Sequence, residues 1–296
     1  MKKVKKEITP EDQNTPDITK PVIELIPKTT AEEFEADIMQ KPEILSKPKL
    51  TVCIPYLKSD AQGNELLFAV RSLQKNLRED FQLVVIGDSE EWFSDEVIHI
   101  PAHKFSDNPQ IDTLEKLKLA IADERVSDCF IWSNDDIYLV SPVMLADIQI
   151  LTAHGKLKHI DGTNKHYEIN RNDTITAINL FGNGICPIHN YDTHTPICYE
   201  KEKLVELFEE IPSLNDEGLL LPSIYFNLIY GDHIPQQIDN INGHYLLRVV
   251  SPKPNRDDFI RFVNGKKFLN NSETGYSDLL IEFLETKFSE PSRFEN

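Results

Sequence analysis

The sequence predicts an α/β fold: a mostly parallel sheet flanked by helices, with an α+β extension towards the C-terminus. Two observations carry this prediction. From Leu50 to Asp136, short β-branched runs alternate with helically spaced segments, a pattern that calls for right-handed crossovers and a parallel sheet. Each main run also ends in polar residues, at Pro55 to Asp60, Gly87-Asp88 and Asn134 to Asp136. In a parallel sheet those ends share one edge, the edge where ligands bind.

The elements follow in order. "KLTVCIPYL" is a continuous apolar run, as expected of a strand buried on both faces. "NELLFAVRSLQKNL" sets Leu66, Leu67, Val70, Leu73 and Leu77 at helical spacing, with Asn64 placed to cap. "FQLVVIGD" and the shorter "VIHIP" read as strands. "IDTLEKLKLAIADE" reads as a helix started by Asp112 and Glu115 in a capping-box spacing, and "DCFIWSNDD" as the next strand. Further on, "TITAINLFGNG" is expected as a strand ending at Gly182. "YEKEKLVELFEEI" is a helix, "GHYLLRVVSP" a strand and "YSDLLIEFLETKF" a helix capped by Ser277. Residues 1–48 hold six of the chain's 18 prolines among mixed charges. They read as an extended or disordered segment, with one short helix over "TTAEEFEADIMQ". The organisation expected is therefore 1–48 as an extension and 49–296 as one domain, with a first half to about residue 145 and a second half from about 146.

With 296 residues, 40% of them hydrophobic, the chain can bury a sizeable core. A formal net charge of -18 argues against duplex nucleic acid or an anionic membrane surface as partner, and means that a phosphate ligand needs local help. The four cysteines form no CxxC pair, which argues against structural zinc; Cys53 and Cys129 sit in apparent strands. The basic N-terminus lacks an apolar run behind it. The longest apolar stretch, "LLLPSIYFNLIYG", is broken by Pro222, Ser223 and Asn227. A cytoplasmic protein without a transmembrane segment is the expectation.

Asp135 and Asp136 are the first chemical candidates. Adjacent carboxylates at a strand end repel each other unless a cation sits between them. They suit Mg2+ or Mn2+, hard ions that share their coordination with a substrate phosphate; a polar turn is the plainer reading of the same residues. Asp192 and His194, two apart in "HNYDTHTP", face one side of an extended loop. They can complete a metal site or supply a general base, or His194 can be an ordinary loop residue. Cationic handles for phosphate are Arg71, Arg248, Arg256, Arg261, Lys266 and Lys267. There is no GxGxxG, P-loop or GxSxG, so dinucleotide oxidoreductases, NTPases and α/β-hydrolases lose ground.

The succession "IPYLKSDAQGNELLFAVRSLQKNL", "VVIGD" and "FIWSNDDIYLVSPV" resembles a GT-A-type nucleotide-sugar transferase. More narrowly, the NDD segment, "THTPICYEKEKLVELFEEI", and "FIRFVNGKKFLNN" with "LIEFLETKFSEPSRFE" resemble, in order, blocks of the Stealth-type sugar-phosphate transferases. The resemblance implies a GT-A-like (Rossmann-like) fold, with Asp135, Asp136 and His194 as metal and catalytic positions. The chain departs from the Stealth pattern at "TVCIPYLKSD", where Asp60 stands nearest to the expected acid. It lacks the arginine expected after the His-Pro helix, and has Asn271 where an acid is expected.

These departures turn the expectation towards glycosyl rather than phosphoryl transfer. The expected activity is a metal-dependent glycosyltransferase that uses a nucleotide-sugar, a UDP-sugar with Mn2+ or Mg2+, and a glycan or other hydroxyl acceptor. Tyr56 to Asp60, with Asp88, would hold the nucleoside. Asn134, Arg71, Arg256, Arg261 and Lys267 are further donor contacts, and Asp192 would orient or deprotonate the acceptor hydroxyl. A sugar-1-phosphate transferase that releases UMP and a non-catalytic binding protein are the alternatives.

Overall fold

The computed structural model describes residues 49–163, 165–215, 217–238, 246–251 and 255–296. The expectations for residues 1–48, including their short helix, lie outside the described residues. Four strands form the parallel part of the central sheet: Leu50–Tyr56 (β1), Phe81–Gly87 (β2), Val97–Pro101 (β3) and Cys129–Trp132 (β4). Helix Glu65–Asn76 (α1) joins β1 to β2 and helix Pro109–Ala122 (α2) joins β3 to β4. The strand order is β3-β2-β1-β4, so the chain winds outwards from β1 and then returns to its other side. The gap between the ends of β1 and β4 is therefore the topological switch point, where neighbouring loops diverge and leave a crevice.

The continuous apolar runs are explained by burial on both faces. Val52, Ile54, Leu83 and Val85 pack with Leu66, Val70 and Leu73 of α1. Cys53, Val84 and Ile86 pack with Leu114 and Leu117 of α2 on the opposite face. Gly87 ends β2 at φ +136°, where a Cβ would lie 1.8 Å from the Tyr56 carbonyl oxygen. Only glycine lets the two strand ends approach this closely. The Asp88 amide then donates to that same carbonyl at 3.2 Å.

Beyond β4 the chain leaves the central sheet. Ile137–Leu139 (β5) joins a second, three-stranded sheet, and two short elements follow, Leu145–Ile148 (α3) and Thr152–Ala153 (β6). Helix His166–Phe181 (α4) leads back to Ile197–Glu200 (β7), which closes the central sheet antiparallel to β4. Helices Lys201–Glu210 (α5) and Leu221–Tyr230 (α6) come next, and Gln236–Gln237 (β8) pairs with β6. Leu246–Val249 (β9), helix Arg256–Val263 (α7), Phe268–Asn271 (β10) and helix Asp278–Lys287 (α8) complete the described chain. In the second sheet β10 lies between β5 and β9, antiparallel to the first and parallel to the second. The α/β class, the parallel-rich sheet flanked by helices and the α+β extension are all as expected from the sequence.

Four local expectations are corrected. "TITAINLFGNG" is not a strand: Thr174 to Phe181 form the second half of α4, and Gly182 caps its C-terminus. Its buried residues, Asn170, Thr174, Ala177 and Ile178, recur at helical spacing, and Thr174 and Thr176 satisfy their hydroxyls on carbonyls one turn back. The capping box at Asp112 and Glu115 is not formed. Asn108 caps α2 through Gln110 N, with Pro109 in the first turn, while Asp112 accepts from Phe105 N and the Lys116 ammonium. Asn64 and Ser277 occupy N-cap positions without a side-chain cap bond. Among the described residues no helix is long and apolar enough to cross a membrane.

Candidate functional site

The Asn134–Asp136 turn is the hinge between the two sheets. Residues before it belong to β4 and residues after it to β5, so the apolar run breaks where the chain changes partners. The Ile137 amide closes the turn on the Asn134 carbonyl at 3.3 Å. Asn270 of β10 donates to the Asp136 carbonyl at 3.2 Å. This fixes the backbone and leaves the carboxylates facing the crevice.

Their electrostatics are those of a buried acid cluster that the nearby cations, Lys116 for Asp135 and Arg248 for Asp136, offset only in part. Burial pushes Asp136 up to about 7, and Glu65 adds to it. Asp135 is held well above the carboxylate range by burial, then by Asp136 and Glu65. Glu65 is itself buried, and its own carboxyl is raised by that burial. It is held by Asn271 Nδ2 and Gln62 N, both at 2.6 Å, and Asn271 Oδ1 accepts in turn from the Tyr138 hydroxyl at 2.9 Å. Asn271, read from the sequence as a lost acid, thus holds a carboxylate supplied by α1. The buried Asp136 Oδ1 and Asn270 Oδ1 have no hydrogen-bond donor. Buried oxygen acceptors left without donors beside the Asp135–Asp136 pair are the kind of atom a hard divalent cation takes.

Two cavities meet at this turn. The smaller, about 280 Å³, opens at the switch point between Pro55 near the end of β1, Leu57 and Asp60 just after it, the start of α2, and Asn134 to Asp136. The larger, about 620 Å³, runs from Trp132 and Asp136 past Tyr167, Asp192 and His194 to Tyr199, Leu220 and Arg248. Asn134 and Asp136 line both. The Asp192–His194 loop is shaped by local bonds: Asp192 N to Asn190 Oδ1, and Thr193 to Thr195 between their hydroxyls. His194 has a left-handed backbone, φ +52°. Burial lowers its pKa, Asp192 works against that, and Arg248 and His154 lower it further. His154 is shifted down in the same way, chiefly by burial. The Tyr167 hydroxyl, which interacts with Asp192, is shifted up, again chiefly by burial.

Several expected residues are placed elsewhere or are already engaged. Asp135, Asp136 and His194 do not assemble as one ligand set. Among the described residues no three His, Cys, Asp or Glu side chains form a metal-ligating group. His194 keeps company with Asp192, His154 and Arg248, while Asp135 and Asp136 face Glu65. Of the first loop, Asp60 lines the smaller cavity and pairs with Lys104 at 3.5 Å. The Tyr56 hydroxyl is committed to Glu90, and Asp88 accepts from Lys58 N at 2.9 Å, so both brace the loop and neither lines a cavity.

Four of the six cations named from the sequence are occupied in ion pairs. Arg256 pairs with Glu282, Arg261 with Asp258 and Lys267 with Asp147, all outside the two cavities. Arg71 makes a two-pronged pair with Glu295, at 2.6 Å for its shorter arm, and donates to the Phe288 carbonyl, which ties α1 to the end of the chain. Replacing Arg71 with methionine is therefore expected to cost roughly 2 kcal/mol of stability, read by denaturant unfolding, and to leave ligand binding unchanged. Arg248 is the arginine that lines the larger cavity, and its buried Nε has no partner. Sequence reasoning named it among six cations without singling it out. Its signal was its place in a strand whose neighbours Leu247 and Val249 are buried. Glu65 was missed because an acid in a first helical turn is so ordinary.

The sequence matches no family model and no curated protein. The Stealth-like order of blocks therefore stands on the quoted residues alone. Among solved structures, the chain is similar to an active-site mutant of LgtC, with a TM-score of 0.43 and 10% identity, over 81% of this chain and 95% of that one. It is also similar to the galactosyltransferase LgtC in complex with donor and acceptor sugar analogues, with a TM-score of 0.42 and 11% identity, over 82% of this chain and 96% of the other.

Proposed function

We propose that this chain is a metal-dependent glycosyltransferase of the cytoplasm that moves a sugar from a nucleotide-sugar, a UDP-sugar, to a hydroxyl acceptor in glycan synthesis. The observation that carries the reading is Asp136: it lines both cavities and holds out a buried carboxylate oxygen with no donor. The smaller cavity, at the switch point, is the nucleotide side, as crevices at such points are in open α/β sheets. The larger has room for the transferred sugar and its acceptor, with aromatic walls at Trp132, Tyr167 and Tyr199 and many polar side chains between them, as suits a hydroxyl-rich ligand.

Asp135 and Asp136 would hold Mn2+ or Mg2+, which as a Lewis acid neutralises charge on a leaving diphosphate. Arg248 faces the same charge from the larger cavity and takes the role expected of Arg256, Arg261 and Lys267. Asp192, which lines the same cavity as Tyr167 and His194, would orient an acceptor hydroxyl or take its proton.

The test is turnover of UDP-sugars by the purified chain with Mn2+, with the released nucleotide identified. UDP is the expected product. UMP would replace this reading with sugar-1-phosphate transfer. Absence of both turnover and UDP–Mn2+ binding would leave a non-catalytic protein and end the enzyme reading.

A further inference from the structure

Cys129 and Cys198 were unremarkable in the sequence, 69 residues apart with no pairing motif. The fold brings them together. In the antiparallel β4–β7 pair, Cys129 lies opposite Glu200 and Cys198 opposite Ile131, so the two thiols meet on a diagonal of one sheet face. Their sulfurs are 3.1 Å apart, about 1 Å beyond bonding distance. Both residues are half-buried, unlike Cys53, which has no exposure. β7 is the last strand of its sheet, so small rotations at this edge meet little packing.

We infer that Cys129 and Cys198 form a dithiol site for thiol–disulfide exchange with small disulfides such as oxidised glutathione. The chemistry balances within the pair. The Cys129 thiolate attacks one sulfur of the small disulfide, whose S–S bond breaks and releases one thiolate. Cys198 then attacks the Cys129 sulfur of the mixed disulfide and expels the second. Two electrons pass to the small disulfide, and the two thiol protons end on its halves. The hydrogen bond between the two thiols favours Cys129 as the attacking group, since it lowers that thiol to about 7. The bond would tie the strand that leads into Asn134–Asp136 to the strand that leads out of the Asp192–His194 loop, fixing one side of the larger cavity. The inference does not depend on the transferase reading.

The test uses the full chain with Cys186→Ser, which removes the exposed thiol, incubated with oxidised glutathione near pH ~8. The expected product has lost two hydrogens, retains no glutathione and yields one linked peptide pair containing Cys129 and Cys198. Its thermal midpoint rises by about 10 °C and falls back on reduction. A second variant, Cys198→Ser, should trap glutathione on Cys129 as a lasting adduct. The inference fails if both thiols remain open to alkylation after oxidation. It also fails if glutathione stays on Cys129 in the presence of Cys198, or if Cys198→Ser leaves Cys129 unmodified.

Discussion

Asp136→Asn is expected to lower nucleotide-sugar turnover roughly a thousandfold while leaving the fold intact. The substitution keeps the shape of the side chain and the backbone bond from Asn270, removes the charge, and leaves one acceptor oxygen where the carboxylate, which also interacts with the Asn270 side chain, has two. Asp136 is the residue common to both cavities with an oxygen left free for a cation, so its loss should strike catalysis and Mn2+ affinity together. Asp192→Asn provides the contrast. That residue lines only the larger cavity and should lower the rate with little change in UDP–Mn2+ affinity. Equal Mn2+ affinity in wild type and Asp136→Asn, measured by calorimetry with UDP present, would remove Asp136 from any metal site.

The frame of the molecule was legible because its strands obey simple burial rules. "KLTVCIPYL" and "FQLVVIGD" are continuous because both their faces meet helices, and that continuity marks a parallel sheet. The Asn134–Asp136 turn was legible as a candidate for the same reason, since such sheets put ligands at that edge. What local pattern could not supply was long-range. Glu65 reaches the aspartates only because Asn271, 206 residues away, holds its carboxyl. Arg71 leaves the list of donor contacts only because Glu295 folds back onto α1. The His194 expectation rested on a motif order that says nothing of distance. The left-handed turn there places the imidazole with Asp192, His154 and Arg248 in the larger cavity.

The acid cluster also predicts that the metal-free protein loses stability as pH rises. A carboxyl whose folded-state pKa is raised binds its proton more tightly in the native state than in the unfolded chain. Between the unfolded value near ~4 and the folded value, the native state therefore carries the extra proton, and stability falls with increasing pH. For Asp136, raised to about 7, the loss spans about pH 4 to 7 and amounts to something on the order of 4 kcal/mol by pH 8. Asp135 and Glu65 act in the same direction. His154 and His194, shifted down by burial, act in the opposite direction below their usual range, so the informative quantity is wild type minus Asp136→Asn at each pH. That difference should favour the variant by only a few degrees in thermal midpoint at pH ~5 and by about 10 °C at pH ~8. Mn2+ should then raise the wild-type midpoint at pH ~8, where the carboxylates are ionised, and have little effect on it at pH ~5 or on the variant at either pH. The substitution that removes activity would thus stabilise the empty protein, as expected where like charges are kept close for a ligand. A midpoint difference that does not change between the two pH values would show that the aspartates carry no such penalty, and the physical case for a cation between them would go with it.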